Sequence, residues 1–348
     1  MKKRILLMTA LMLVALFVIT ACAPVDSGAG NAADSSGDSS ADSGGNSEAD
    51  SSADDSDDSV SEYPERPVEF VVPWPPGDLE DVLTRLIAEE MQEQTGVPAA
   101  VVNKPGGGGL VGATDVFQAE ADGHTIGSFV NGIPTVHVMS GNAPYERYDF
   151  EPIGIFVTYP FVIATSGDAP YSSMEELAAY SNENDVSLGH FGFGLVPTRA
   201  TLLSMEDLGG SFASEAAFDN LDCTTLASGD VDVINTTVQL LLPCLDEVML
   251  LASIGPERIS VSPDTPTLAE QGGLGISLWN GLFVKKGTPQ AIKDQIAEYA
   301  QTALAGEAAQ NIAETTGALV YWLDGEESAA LIDSDWDVIS EMLERMGE

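Results

Sequence analysis

From Val68 onward, short apolar stretches alternate with amphipathic ones, and this alternation constrains the fold more than any other feature of the chain. The periodicity predicts strands over 68–72, 99–102, 125–130, 161–165, 186–189 and 231–235. It predicts helices over 79–94, 110–119, 173–180, 198–205 and 224–227. Strands that alternate with helices pack them on the faces of largely parallel sheets, so the fold class is α/β. Late in the chain the pattern turns helical. Thr288-Pro289 supplies an N-cap and a first-turn proline for an amphipathic helix over 289–304, with further helices over 307–316 and 326–345. A helical tail needs a formed surface to pack on, most simply the first sheet. The chain is therefore expected to build domain one from 63–160, build domain two from 161–279, and return through 280–348 to domain one. Two crossings make a hinge, and a hinge between two α/β lobes leaves a cleft at their interface.

The first 62 residues belong to neither lobe. Lys2, Lys3 and Arg4 precede an apolar run over 5–19, followed by Thr20, Ala21 and Cys22. A basic start, a short apolar run and small residues make a secretory signal over 1–22. The end resembles a bacterial lipoprotein box in which Cys22 becomes the lipidated first residue. A transmembrane anchor is the alternative, but the run is short for the ~20 apolar residues that span a bilayer. Residues 23–62 are rich in Ser, Gly, Ala and Asp and hold no Lys or Arg. Such a segment buries too little surface to offset its ordering entropy and reads as a disordered acidic tether. The expected location is outside the cytoplasm, lipid-anchored at a membrane face. Cys223 and Cys244 then lie in a disulfide-permissive compartment, as a bridge or as two buried thiols. With 13 Lys+Arg against 55 Asp+Glu, the net charge of −42 excludes nucleic acid as a partner.

The stretch from 73 to 81, Pro-Trp-Pro-Pro-Gly-Asp-Leu-Glu-Asp, joins the first strand to the first helix. A helix N-terminus offers free N–H groups and the positive end of a dipole, which suits an anion. Yet this one carries Asp78, Glu80 and Asp81. The motifs "YPERPVEFVVPWPPGDLEDVLTRLIAEEM", "VVNKPGGGGLVGATDV", "DGHTIG", "YDFEPIG", "LASGDVDV", "ERISVSPDTPTLAEQG" and "WNGLFVKKGTPQAIKDQI" follow one another in order. Together they resemble the solute-binding receptors of tripartite tricarboxylate transporters, also called Bug receptors. The resemblance covers about residues 63–348. It implies a two-domain periplasmic-binding-protein-like fold of the type II, Venus-flytrap kind, with the helical C-terminal segment packed on domain one. It implies a monomer that closes on a small organic solute, usually a carboxylate, and delivers it to membrane transporter subunits. Two loops present backbone N–H groups to the ligand in such receptors.

On that resemblance the expected ligand contacts are Trp74, Pro76, Gly77, Asp78, Leu79 and Asp81 in the first loop. In the second they are His190, Phe191, Gly192, Phe193, Gly194, Thr198 and Arg199, with Asn131 and Asn235 at strand ends. The chain departs from its relatives where they carry small hydroxyl residues. An ionised Asp78 facing the cleft would oppose a ligand carboxylate. The favoured reading has Asp78 cap the helix at Leu79, with Asp81 its capping-box-like partner. If Asp78 points inward, the solute carries an amino group. Trp74, Phe191 and Phe193 are ligand-facing or ordinary core, and Arg199 pairs with a ligand carboxylate or a surface acid. Thr267 and Glu270 form a capping box, and 279–281 pack at the hinge. No nucleophile elbow or acid–base pair is present, so an enzyme is not expected. His124, His137 and His190 lack metal-ligand spacing, and no cofactor is expected. The run Gly107 to Gly112 matches G-x-G-x-x-G, and a nucleotide-dependent oxidoreductase is the weaker alternative. A ligand sensor of the same fold is another.

Overall fold

β1 (Val68–Val72) buries Val68, Phe70, Val71 and Val72 and exposes Glu69, as a strand covered on both faces does. It pairs in parallel with β2 (Ala99–Asn103) and β3 (Thr125–Val130). The structure, a computed structural model, describes residues 63–255 and 257–347; Cys22, the signal segment and the tether lie outside them. The other half of the first sheet is antiparallel. β10 (Trp279–Lys285) lies between β3 and β4 (Phe150–Thr158), and β11 (Leu319–Leu323) flanks β4, giving the order β11-β4-β10-β3-β1-β2. The second sheet runs β7 (Ser214–Ala217), β6 (Ser187–His190), β8 (Val233–Thr237), β5 (Phe161–Ser166), β9 (Val248–Ile254). Here β6 is parallel to β7 and β8, while β5 is antiparallel to β8 and β9. Both sheets are thus mixed, not largely parallel. Helical crossovers produce the parallel pairs; β10 and β11 in the first sheet and β5 in the second run against their neighbours.

α1 (Leu79–Thr95) buries Leu79, Leu83, Ile87 and Met91, an i, i+4 stripe against the first sheet, and ends at Gly96 in the left-handed conformation. α2 (Leu110–Gln118), α3 (Val136–Met139), α4 (Met174–Ser181), α5 (Val196–Asp207) and α6 (Cys223–Ser228) follow. α7 (Gln290–Ala305) does not use Thr288 as its cap: Pro289 holds the cap position, and the Thr288 hydroxyl donates to the Lys285 carbonyl. α8 (Glu307–Thr316) and α9 (Gly325–Arg345) complete the tail. These helices pack on α1, β4 and β11, and α9 also reaches α5, where Arg345 pairs with Asp207.

Phe129 stacks on Phe283 and meets Phe150 edge-on, joining β3, β10 and β4. Trp279 is fully buried and donates its indole N–H to the Asp335 carboxyl on α9 at 2.6 Å. Burial pushes Asp335 up to about 6, against the opposing Trp279 bond. In the second sheet's outer cluster, Cys223 and Cys244 form a disulfide beside Leu221, Leu226, Val238 and Leu241. Thr267 and Glu270 cap each other reciprocally at a single 3-10 turn. The chain crosses from β4 to β5 through Tyr159-Pro160 and returns through Leu278 to β10. The Tyr159 N–H donates to the Leu278 carbonyl at 2.7 Å, so the two crossings lie side by side.

Candidate functional site

The loop after β1 is fixed by Asp81. Its carboxylate accepts from Arg85 at 2.8 and 3.0 Å, from the Asn103 amide at 2.8 Å and from the Gly77 N–H at 2.9 Å. Asn103 also donates to the Trp74 carbonyl at 3.0 Å. Burial alone would raise the Asp81 pKa, but the bonds from Arg85, Asn103 and Gly77 outweigh it and hold the group below its ordinary value. Asp81 is therefore the clamp of the loop and faces away from the cleft.

Asp78 does not do what the capping reading assigned to it. It holds the N-cap position with extended backbone, but its side chain makes no capping bond. It lines a cavity between the sheets instead. Asp81, one turn into the helix, turns its carboxylate to the Gly77 N–H, Arg85 and Asn103 and not back to the Asp78 N–H, so no capping box forms. Burial first, and then the neighbouring Asp81 charge, push Asp78 up to about 6.

The cavity measures ≈70 Å³. Ligand pockets run to about 300–1,000 Å³, so this cavity is small. The first sheet contributes Trp74, Asp78, Glu80, Val130 and Asn131; the crossings contribute Tyr159 and Leu278. The second contributes Phe161, Phe191, Leu195, Pro197, Thr237, Gln239 and Leu240. The starts of α1 and α5, from opposite lobes, both border it. Glu80 is buried, and the Tyr159 hydroxyl donates to its Oε2 at 3.0 Å. Burial and then the Asp78 charge push Glu80 up to about 8, against the opposing Tyr159 bond. Behind this pair, Thr84 donates to Ser128 at 2.9 Å and Ser128 to Asn280 at 2.8 Å, a buried polar chain beneath the cavity floor.

Of the residues expected to touch a ligand, Trp74, Asp78, Asn131 and Phe191 come together at this cavity. Asn131 is held by its own amide, which donates to the Ser277 carbonyl at 3.0 Å. Pro76 and Gly77 are exposed, Leu79 packs in the core, and Asp81 clamps the loop. His190 lies on β6 with its ring 3.5 Å from Glu215. Phe193 is exposed beneath the Arg199 guanidinium, 4.7 Å from its centroid. Thr198 is buried in the first turn of α5, and Asn235 donates to the Thr201 hydroxyl at 2.9 Å. Gly192 takes a positive φ, whereas Gly194 is required by proximity: a Cβ there would lie 2.9 Å from His137 Cε1. His137 also meets the Gly108 carbonyl at 2.8 Å, so it bridges the glycine loop ahead of α2 and the loop ahead of α5. Sequence reasoning missed Glu80, Tyr159, Phe161 and Gln239. Glu80 is two residues beyond Asp78, a spacing that does not share a helix face; Tyr159 and Phe161 flank a crossing, and Gln239 lies in the turn after β8. Among the described residues no cluster of His, Cys, Asp and Glu could hold a metal.

Comparisons place this geometry among known proteins. The family profile described as a tripartite tricarboxylate transporter family receptor matches residues 83–347. The UPF0065 protein in the TAR-I ttuE-ttuC' intergenic region of Agrobacterium vitis is 30% identical over 255 residues, covering 70% of this chain and 72% of that protein. The structure of periplasmic binding protein BugD is 30% identical with a TM-score of 0.72, over 82% of this chain and 99% of that one. MatC from Rhodopseudomonas palustris, solved with bound malate, is 27% identical with a TM-score of 0.71, over 80% and 99%.

Proposed function

The chain belongs to the tripartite tricarboxylate transporter receptor family, and on that premise we propose that it captures a small carboxylate-bearing solute in the cavity between its sheets. Lobe closure then presents the loaded receptor to membrane subunits. The convergence of two helix starts from opposite lobes on one cavity supports this most directly. A helix start stabilises an anion through its first-turn N–H groups and dipole, without a full positive charge. The malate of MatC supports the same solute class. The receptor does no chemistry on its solute.

Thermal unfolding against a panel of small carboxylates tests this reading. A solute at 100 times its Kd stabilises by about 2.7 kcal/mol, a rise in Tm of several degrees. At least one carboxylate is expected to do so and NAD is not. A response to NAD with silence toward every carboxylate would sink the receptor reading.

Cys22, on this reading, carries a lipid that tethers the receptor outside the cytoplasm through residues 23–62. Metabolic labelling with a radioactive fatty acid is expected to mark the wild-type chain, and Cys22→Ser to release it from the membrane fraction. A C22S protein that still takes up the fatty-acid label would contradict the anchor.

A further inference from the structure

The cavity walls are unusual for a site that takes only carboxylates. Trp74, Tyr159, Phe161 and Phe191 face it from both lobes. Tyr159 and Phe161 meet at 5.9 Å and 74°, and Phe161 and Phe191 at 6.4 Å and 90°, so the three rings stand as walls set at steep angles. The charged groups among the lining residues are Asp78 and Glu80, and no Lys, Arg or His is among them. The nearby cations are engaged elsewhere: Arg85 chelates Asp81, and Arg199 lies over Phe193. Glu80 is nine-tenths or more buried at this wall, and the Asp78 carboxyl makes no capping hydrogen bond to α1.

We propose that the solute carries an organic ammonium group in addition to its carboxylate, and that the ammonium lies among Trp74, Tyr159, Phe161 and Phe191 against the carboxyl groups of Asp78 and Glu80. The inference rests on the receptor reading and specifies its solute class. Aromatic faces attract a cation through their quadrupole, most strongly where water is excluded. A second carboxylate at the same place would instead meet two acids at low dielectric. Without a cation both acids are held toward their protonated forms, Asp78 at about 6 and Glu80 at about 8. An entering ammonium favours the ionised forms and releases protons. The other titratable group at the wall is Tyr159, and Asp81 stands behind Asp78. None of the lining residues from the second lobe titrates.

Titration calorimetry on the full chain with two matched pairs tests this. Trimethylglycine and 3,3-dimethylbutanoate share a shape and a carboxylate but differ in the cationic centre; 4-aminobutyrate and succinate differ in an ammonium for a carboxylate. The ammonium member of at least one pair is expected to bind ten times or more tighter. Its affinity is expected to rise from pH 5 to pH 8, and the preference to collapse in Asp78→Asn. Glu80→Gln gives a second test should the first variant fold poorly. Equal or tighter binding of succinate or 3,3-dimethylbutanoate, affinity that falls with pH, or an intact preference in both variants overturns the ammonium proposal and leaves the receptor standing. Silence toward all four, together with a panel of carboxylates that gives no Tm shift, overturns both.

Discussion

Glu80→Gln is expected to stabilise the unliganded protein by up to about 3 kcal/mol at pH 7 and to leave its stability unchanged at pH 4. Glu80 sits in the first turn of α1, buried at the cavity wall. Burial and the adjacent Asp78 raise its pKa from 4.5 to about 8. A group whose folded pKa is raised contributes its full stability below the unfolded value and loses it as pH climbs toward the folded one. The loss therefore accumulates between about pH 4.5 and 8, at about 1.4 kcal/mol per pH unit. Glutamine keeps an acceptor for the Tyr159 hydroxyl and removes the ionisable group. Urea titrations of both proteins at pH 4, 7 and 8 measure the difference. A gain that does not grow with pH would show that Glu80 is not held neutral by its surroundings. The same variant is expected to weaken an ammonium ligand, so the residue trades stability for recognition, as functional sites do.

Cys223→Ser with Cys244→Ser, or reduction of the wild type, is expected to cost about 3 kcal/mol for a loop of this length. The two cysteines are 21 residues apart, and the loop they close contains α6, β8 and the turn after it. α6 has six residues, too few to hold itself as a helix. The bridge ties it to the segment after Thr237, Gln239 and Leu240, which form one wall of the cavity. The unbridged protein is therefore expected to melt several degrees lower and to bind its solute more weakly. Thermal scans with and without dithiothreitol measure the first effect. An unchanged melting temperature would mean that the surrounding Leu221, Leu226, Val238 and Leu241 cluster suffices alone.

The strand–helix alternation made the parallel half of each sheet legible, because β1, β2, β3, β6 and β8 are short apolar runs between helical ones. Among the antiparallel strands β5 was legible as well, whereas β4 and β10 were hidden by their own glycines. Gly154 lies under the Trp322 ring, where a Cβ would sit 2.2 Å from it, and Gly281 packs against the Gly154 carbonyl. Such residues read locally as breaks in a strand, yet the sheet needs them for close approach. At the cleft, Trp74, Asp78, Asn131 and Phe191 could be found because they follow strands in loops. Tyr159 and Glu80 could not, since their pairing depends on how the crossing segment lies across α1. Of the two readings open for Asp78 the cap was favoured, because three residues of spacing suit a capping box equally well whether the second acid turns back to the cap or out to Arg85 and Asn103.

The hydrogen bond from the Tyr159 N–H to the Leu278 carbonyl holds the two crossing segments together at the spot where both residues also form the cavity floor. On the receptor reading proposed above, a solute gripped there rests beside both crossing segments, where any swing of the lobes would pivot. Leverage follows from that placement: a slight difference in girth near a pivot is magnified along the arms, so solutes one methylene apart leave the far rims standing at different separations.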